Sequence, residues 1–321
     1  MRYTSIPATT LQPSVICLGT ADIGGKIDRE TSFRMLDAYL EQGGNLIDSA
    51  SVYANWLPGE RNSSEKTIGR WLAARGNRDR VLVATKGAHP ELGTMQISRM
   101  RRADIVADLD NSLANLQTDC IDIYWLHRDA PSHAVDEIID TLNEQVQAGK
   151  IRAFGCSNWQ TSRIQAAQNY AAQHGLHGFA ANQPLWNIGV IDYAAIGDPT
   201  LALMDEPMWQ FHKTSGLAAI PYSSQANGIF NKLAQGQQDR IRPNTQRIYQ
   251  SPANLQRLQR IQQLVDETGL SITQIVLGYL TSQPFPTIPI VGCQNLDQLQ
   301  DSLTAGDVQL SAAQIRFLAQ G

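Results

Sequence analysis

Short apolar runs alternate with longer segments of helical spacing along the whole of this 321-residue chain. Short runs bounded by turn residues predict buried strands, and apolar residues recurring every three or four positions predict helices. The strands are predicted at residues 15–18, 45–48, 81–85, 121–126, 151–156, 179–182, 217–221 and 287–291. The helices that follow are predicted at 31–42, 63–74, 103–116, 135–148, 162–174, 203–215, 255–267 and 296–305, with an extra helix at 271–282 and a long polar loop at 222–254.

This repeat predicts the α/β class and a closed barrel. Eight strand–helix units are the number found in a (β/α)8 TIM barrel, so we expect residues 1–321 to form a single barrel domain. An open doubly wound sheet is the alternative, but it needs fewer strands and usually a glycine-rich first turn. The first turn here, residues 19–24 (GTADIG), lacks the G-x-G-x-x-G spacing of that fold. The barrel is therefore favoured.

Composition excludes several classes of protein. The formal net charge of −4 argues against a nucleic-acid surface, which needs a clustered basic excess. No apolar run reaches the roughly 18 residues of a membrane helix, and the N-terminus lacks the apolar core of a signal peptide. The four cysteines are widely spaced and form no metal-ligand pattern, so we expect free thiols in the cytoplasm and no metal. The sequence leaves the oligomeric state open.

Three successive predicted strands run into charged or ionisable side chains, Asp48, Lys86 and His127, and Tyr53 follows the first of them. Strand ends of a parallel barrel meet at one face, so these residues should converge there. An ammonium beside a tyrosine lowers its pKa, and an acid keeps that ammonium charged. A histidine can orient a carbonyl oxygen by hydrogen bonding. These are the parts for protonating an oxygen while a hydride arrives at carbon.

Several motifs in order resemble the aldo-keto reductase family over nearly the whole chain. The family's Asp, Tyr, Lys and His tetrad matches Asp48, Tyr53, Lys86 and His127. Residues 62–69 (NSSEKTIG) resemble its S-E-x-x-L/I-G helix start, and residues 108–127 resemble the signature that ends in the histidine. Residues 149–158 (GKIRAFGCSN) are similar to its G-K-I-R-x-x-G-x-S-N run. The resemblance implies a nicotinamide-dependent enzyme that reduces an aldehyde or ketone, or oxidises the alcohol.

The resemblance also implies a cofactor site. The residues matching its nicotinamide end are Ser157, Asn158, Gln183 and the stacking aromatic Tyr222, and Gly19 and Thr20 are also expected to bind the cofactor. The residues matching the loop along the pyrophosphate are Ser223, Ser224, Gln225 and Gly228. The residues matching the 2′-phosphate loop and the adenine contacts are Gly292, Gln294, Asn295, Gln298, Asp301 and Ser302. Many members have Lys or Arg in this last loop, and this chain has neither, so NADP(H) is favoured on family grounds and NAD(H) is possible.

Trp56 lies three residues beyond Tyr53, where an aromatic wall suits a sugar ring or an aryl aldehyde, and we predict that it binds substrate.

Two other functions remain open at this point. One alternative function is a cofactor-binding regulatory module of the same fold with little turnover, which would need a docking surface. A second is a barrel lyase with Lys86 as a Schiff base, which an adjacent Asp48 disfavours by keeping the amine charged.

Overall fold

The computed structural model describes residues 1–320, and the strands in this part of the chain form one parallel sheet. The strands are β1 Cys17–Gly19, β2 Leu46–Asp48, β3 Leu82–Gly87, β4 Ile121–Leu126, β5 Ile151–Ser157, β6 Ala181–Gln183, β7 Ala218–Ala219 and β8 Ile290–Gly292. The helices are α1 Arg29–Glu41, α2 Ser63–Arg75, α3 Arg102–Leu116, α4 Val135–Gln147, α5 Thr161–His174, α6 Glu206–Ser215, α7 Ile229–Ala234, α8 Pro243–Tyr249, α9 Pro252–Thr268, α10 Ile272–Thr281, α11 Leu296–Leu303 and α12 Ala312–Ala319.

The sheet closes on itself. Strands β1 to β7 are paired in chain order, and β8 pairs with β1 so that Leu18 lies opposite Val291. On its other side the segment leading into β8 joins β7, where Ile288 N–H donates to Ala219 O at 2.9 Å and Ala219 bridges Thr287. Closure leaves no free sheet edge, as the barrel fold requires. The predicted (β/α)8 barrel is confirmed.

Two apolar layers hold the barrel together. The outer layer lies between helices and strands; in α3, for example, Ile105, Leu109 and Leu116 recur on one buried face. The inner layer fills the barrel with alternating small and large side chains, including Ala84, Ala153, Ala181, Ile123 and Trp125.

The N-terminal segment covers the amino-terminal end of the barrel. Ile6 and Leu11 are buried and belong to the inner apolar layer. Tyr3 bridges Ser14 in an antiparallel pairing that holds this segment in place. With that end filled, the carboxyl ends of the strands form the face that can hold a site.

The predicted polar loop at 222–254 is wrong, because α7 and α8 lie within it. Their apolar residues, among them Ile229, Phe230 and Tyr249, are buried in a separate cluster together with residues of α9 and α10. Each helix is at most two turns long, too short for its periodicity to stand out in a polar stretch. The terminal helix α12 was missed for the same reason.

Within residues 1–320, no helix combines the length and the apolar character needed to cross a membrane. In the same part of the chain, no group of three or more His, Cys, Asp or Glu side chains is arranged to hold a metal ion. All four cysteines are free thiols, and three of them are buried.

Candidate active site

The register of the barrel brings Asp48, Lys86 and His127 together at its carboxyl-terminal face. Asp48 pairs with Ala84, and Lys86 lies two residues further along β3, on the same inner side of the strand. Lys86 in turn pairs with Trp125 of β4, and His127 lies two residues beyond that tryptophan. Period-two alternation therefore points all three side chains inward, and the loop after β2 brings Tyr53 over them.

Lys86 is the centre of this cluster. Its ammonium donates hydrogen bonds to Asp48 Oδ2 at 2.5 Å, to Ser49 O at 2.7 Å and to the Tyr53 hydroxyl at 2.9 Å. The ammonium also lies 4.6 Å from the centroid of the Tyr53 ring. Lys86 and Asp48 are each 1% exposed, so both charges are desolvated and their attraction is stronger than at a surface.

The ion pair keeps Lys86 charged. Burial alone would lower the pKa of Lys86, but the negative charges of Asp48 and of an ionised Tyr53 raise it above its ordinary value. Burial raises the pKa of Asp48, and the Lys86 ammonium and the Gln183 amide oppose that rise. A protonated lysine held by three acceptors is a fixed positive charge rather than a nucleophile.

The pKa of Tyr53 is raised rather than lowered, in contrast to our expectation. Burial raises the pKa of the Tyr53 hydroxyl, Lys86 lowers it, and Asp48 raises it again, so that the net direction is upward. The expected lowering by Lys86 is present, but desolvation of the phenolate is larger. The expectation of a lowered pKa was therefore wrong, and Tyr53 carries its proton at neutral pH.

His127 is neutral in this setting. Burial, the Lys86 ammonium, and then His89 and Arg128 lower the pKa of His127 well below its ordinary value. Its Nδ1 is buried without a hydrogen-bond partner among the described residues. The His127 ring contacts Tyr53 edge to face, with the centroids 6.0 Å apart. A neutral imidazole beside the tyrosine hydroxyl can donate one N–H to a substrate oxygen.

Two further residues at this face were missed by sequence reasoning. His89, three residues beyond Lys86, contacts the His127 ring with centroids 4.7 Å apart. Its Nδ1 donates to Pro90 O at 2.6 Å. Arg128 follows His127 directly and pairs with Asp198 of the β6–α6 loop at 3.4 Å. Both lie just past strand ends that were already assigned to the site, and that position was the signal available.

The S-E-x-x-I-G motif supports the site from outside the barrel. Glu65 is buried and accepts hydrogen bonds from Thr85 on β3 at 2.7 Å and from Asn115 on α3 at 2.9 Å. Gly69 allows α2 to approach α3, because a Cβ there would lie 2.4 Å from Asn115 O. These contacts hold β3, and thus Lys86, in register with its neighbours.

The residues expected at the nicotinamide end form a connected polar cluster. Gln183 Nε2 donates to Asp48 Oδ1 at 3.0 Å, and Ser157 Oγ donates to Gln183 O at 2.8 Å. Asn158 has a positive φ, and its Oδ1 accepts from the Tyr222 hydroxyl at 2.7 Å. The half-buried Tyr222 ring is thereby held beside the tetrad.

Thr20 and Gly19 make contacts that hold neighbouring parts of the barrel together. The buried Thr20 hydroxyl donates to Asp48 O at 2.9 Å and contacts Ser64 Oγ at the same distance. A Cβ on Gly19 would meet Ile290 Cγ2 at 2.6 Å, so the glycine allows β1 to lie close to β8. Their expected contact with a cofactor stays a prediction.

The loop after β7 has the backbone of an anion-binding turn. Positive φ angles occur at Ser223, Ala226, Asn227 and Gly228, and such sequences turn consecutive N–H groups toward one concavity. Ser224 is anchored by donation to Ile290 O at 2.5 Å. Gln225 Nε2 donates to Ser302 Oγ at 2.8 Å, which ties this loop to α11. These features fit a pyrophosphate group.

The loop after β8 offers neutral donors. Asn295 caps α11 by accepting from Gln298 N at 2.9 Å, and Gln298 Oε1 accepts from Gln294 N at 2.9 Å. Asp301 Oδ2 accepts from Thr273 Oγ1 at 2.6 Å. Gly292 and the Gln294 side chain are exposed at the start of this loop. A 2′-phosphate here would meet no cation from residues 292–302.

Trp56 lies at the rim of the site, 48% exposed, with its ring 6.3 Å from that of Tyr53. Beside it, a polar cavity of about 280 Å³ lies between the β2–α2 loop, the β3–α3 loop and α3. His89 lines this cavity, but none of the four tetrad residues does. The ionisable side chains of the tetrad therefore favour the tetrad, rather than this cavity, as the candidate site.

Comparisons with known proteins agree with this geometry. A family model described as the aldo/keto reductase family matches residues 15–320. Norsolorinic acid reductase of Emericella nidulans is 28% identical over 96% of this chain and 78% of its own length. The aryl-alcohol dehydrogenase (NADP(+)) of Phanerodontia chrysosporium is 29% identical over 97% of this chain and 83% of its own length. A crystal structure of a thermostable aldo-keto reductase with the inhibitor epalrestat superposes with a TM-score of 0.72 at 20% identity, covering 99% of each chain, and so shares the fold.

Fold and matches together define the class of protein, a nicotinamide-dependent oxidoreductase built on a (β/α)8 barrel. More particularly, the chain belongs to the aldo/keto reductase family, and the resemblance of its motifs is confirmed. It is an NAD(P)H-dependent enzyme of carbonyl reduction.

Proposed function

We propose that the chain reduces an aromatic aldehyde or ketone to the alcohol, with Tyr53 as the proton donor. The observation that carries this assignment is the buried ammonium of Lys86, which bridges Asp48 and the Tyr53 hydroxyl at 2.5 and 2.9 Å. The reaction runs in reverse as alcohol oxidation, with Tyr53 accepting the proton.

Each tetrad residue has one part in this proposal. When bound, the cofactor supplies the hydride. Tyr53 gives its proton to the carbonyl oxygen as negative charge develops there, and Lys86 stabilises the phenolate that is left. Asp48 holds Lys86 charged and in place. Neutral His127 donates an N–H to the same oxygen, which orients the carbonyl toward Tyr53.

The cofactor contacts follow the polar clusters described above. Ser157, Asn158 and Gln183 would hydrogen-bond the carboxamide, and Tyr222 would stack on the nicotinamide ring. The backbone of residues 223–228 would hold the pyrophosphate, while the β8 loop and the start of α11 would hold the adenosine end. We propose that NADP(H) is preferred and NAD(H) is accepted. A relative named for NADP(+) supports the preference, and the absence of Lys and Arg from residues 292–302 supports the tolerance.

Two observations support an aromatic substrate. Relatives of this chain are named for norsolorinic acid and for aryl alcohols. The exposed ring of Trp56 beside Tyr53 offers an aromatic wall at the rim, which suits a flat substrate ring.

The cysteines bear on where the protein works. Free thiols at all four cysteines support a reducing compartment, the cytoplasm.

The complete tetrad argues against the two alternatives. A regulatory module with little turnover would have no need of a proton donor hydrogen-bonded to a buried ammonium. A lyase would need a neutral lysine, but the neighbouring negative charges raise the pKa of Lys86. Borohydride trapping in the presence of a carbonyl substrate should therefore leave Lys86 unlabelled.

A panel of benzaldehydes and aryl ketones tests the proposal by loss of reduced-nicotinamide absorbance. Tyr53→Phe should lower turnover at least about 10²-fold, the usual effect of losing acid catalysis, and leave cofactor binding intact. Tyr170→Phe is the matched control, because the Tyr170 hydroxyl contacts only Asp140 on the surface. Near-normal turnover of the Tyr53 variant would remove Tyr53 from the role of proton donor.

A further inference from the structure

Arg128 directly follows His127 at the end of β4 and carries an incompletely bonded guanidinium. Its side chain is only 15% exposed. Nη1 donates to His127 O at 3.2 Å, and Nε is buried with no hydrogen-bond partner in residues 1–320. Nη2 has only a long contact, 3.4 Å, with Asp198 Oδ2. Nε and Nη2 share one edge of the guanidinium, and that edge is the part left with poor partners.

The backbone around Arg128 is well fixed. Arg128 O accepts a hydrogen bond from Trp159 Nε1 at 3.3 Å, and the Trp159 side chain is fully buried. With Nη1 also bonded to the main chain, the direction of the guanidinium is set. A planar donor edge held in this way matches the two oxygens of a carboxylate.

Asp198 is a weak and replaceable partner. It lies in the β6–α6 loop with its side chain 35% exposed, and its Oδ1 already accepts from Thr200 N and Thr200 Oγ1. A long ion pair whose carboxylate is partly exposed to solvent contributes little free energy. By contrast, Arg99 in the β3–α3 loop is paired with both Asp104 and Asp108, so its charge is already matched.

The charge of Arg128 reaches the proposed reaction centre. It contributes to lowering the pKa of His127 and of His89, and it opposes the rise in the pKa of Tyr222. The His127 ring contacts the rings of Tyr53 and His89, and Arg128 directly follows His127, so its charge acts beside the tetrad. A negative group on the substrate would therefore meet Arg128 while the carbonyl lies at the tetrad.

We propose that Arg128 is a specificity-determining residue that binds a carboxylate on the carbonyl substrate through its Nε–Nη2 edge, in place of Asp198. This inference rests on the proposed function and names the substrate class as aromatic aldehydes or ketones that carry an acid group.

The test compares substrates of the same shape that differ in charge, 3- and 4-carboxybenzaldehyde against the corresponding carboxamides. Wild-type protein should prefer at least one acid by about tenfold or more in kcat/KM, expressed mainly in KM, as expected for a charge-assisted hydrogen bond. Arg128→Gln should reduce this ratio to about one, and Arg128→Lys should restore part of it. Asp198→Asn removes the competing carboxylate and should increase the ratio.

Arg75→Gln is the charge-matched control, since Arg75 pairs with Asp37 at the far end of α2 and should leave the ratio unchanged. A wild-type ratio near one for both acids, or a ratio that survives in Arg128→Gln, would overturn the proposal. It would also be overturned if Arg128→Gln weakened cofactor binding while the acid preference stayed the same. In that case the Arg128–Asp198 pair would serve only to hold the β6–α6 loop in place.

Calorimetric titration of benzoate and benzamide into wild type and Arg128→Gln measures the same preference without turnover. Tighter binding of benzoate than of benzamide, lost in the variant, supports the role of Arg128 even if neither aldehyde is reduced. That combination would contradict the proposed reaction and not the anion site, while equal binding of the two ligands would contradict the site itself.

Discussion

The side-chain amide of Gln183 on β6 donates a hydrogen bond to Asp48 Oδ1 on β2 at 3.0 Å, across the mouth of the barrel. Asp48 Oδ2 accepts from Lys86, and Lys86 donates to Tyr53. One chain of hydrogen bonds thus joins a residue proposed to hold the nicotinamide carboxamide to the proposed proton donor. Burial of Gln183, Asp48 and Lys86 makes the hydrogen bonds between these three side chains stronger than they would be in water.

Replacement of Gln183 tests this connection. Gln183→Met removes the amide donor to a buried carboxylate, an interaction with a charged group that contributes about 1.5–3 kcal/mol. We expect lower thermal stability and weaker binding of the reduced cofactor, measured by calorimetric unfolding and by quenching of intrinsic fluorescence. Gln168→Met is the control: Gln168 bonds only the backbone of Phe179, so its loss should affect stability and spare cofactor affinity. Unchanged cofactor affinity in Gln183→Met would exclude Gln183 from the cofactor site.

Lys86→Met should affect both turnover and stability. Turnover should fall about 10²-fold or more, because the phenolate of Tyr53 loses its counter-charge. The variant also leaves Asp48 buried and unpaired, which typically costs about 3–5 kcal/mol of unfolding free energy. Without the ammonium, burial raises the pKa of Asp48 further above its unfolded value. The lost stability should therefore return as the pH falls toward the unfolded pKa of about 4.

The double variant Lys86→Met with Asp48→Asn separates these two effects. It should recover most of the stability at neutral pH, since neither position 48 nor position 86 then carries a buried charge, but none of the turnover. Denaturant unfolding at neutral and acidic pH, run beside a cofactor-oxidation assay, measures both. Equal stability of the single variant and wild type at neutral pH would show that the ion pair is not needed to balance the buried charge.

The pH dependence of reduction follows from the raised pKa of Tyr53 and the lowered pKa of His127. Burial raises the pKa of Tyr53, so the protonated donor persists until the pH exceeds the ordinary tyrosine value of about 10. The pKa of His127 lies well below its ordinary value, so His127 stays neutral through the weakly acidic range. Reduction should therefore show no acid limb near pH 6.5 and an alkaline decline only above about pH 10, while alcohol oxidation should rise with pH. Profiles of kcat/KM in both directions at constant ionic strength check this, and an alkaline limb near neutrality would contradict it.

Cofactor preference should respond to one added charge in the β8 loop. Gln294 is exposed and its loop has only neutral donors, so Gln294→Arg should strengthen NADPH binding by about 1.5–3 kcal/mol and leave NADH nearly unchanged. Fluorescence titration of both reduced cofactors at fixed low salt measures the two affinities. A wild-type preference for NADPH of about a thousandfold or more would mean that a cation outside this loop binds the phosphate.

Matched control variants sharpen the cofactor test. Asp297→Asn removes the acidic residue in the first turn of α11 and should also favour NADPH, by a smaller amount. Gln300→Arg adds the same charge to an exposed position of that helix outside the predicted phosphate contacts, and should change little. An equal gain from Gln300→Arg and Gln294→Arg would indicate a general effect of charge rather than a phosphate contact.

Much of this protein follows from its sequence because strand and helix periodicity is local. Apolar runs ending in Asp48, Lys86 and His127 are visible without coordinates, and the eight repeated units indicate the barrel. Parallel strands all end at the same face, so the convergence of these three residues was predictable as well.

Contacts between distant loops were decided only by the tertiary structure. These contacts join residues that are far apart in sequence or lie in irregular backbone. They include the pairing of Arg128 with Asp198, the contact of His89 with His127, and the closure of β7 onto the segment before β8. The direction of the Tyr53 pKa belongs to the same group, because it depends on how completely the fold removes the hydroxyl from water. Sequence order specifies which charges are present near a site, whereas burial determines the dielectric in which they act, and burial exists only once the chain has folded.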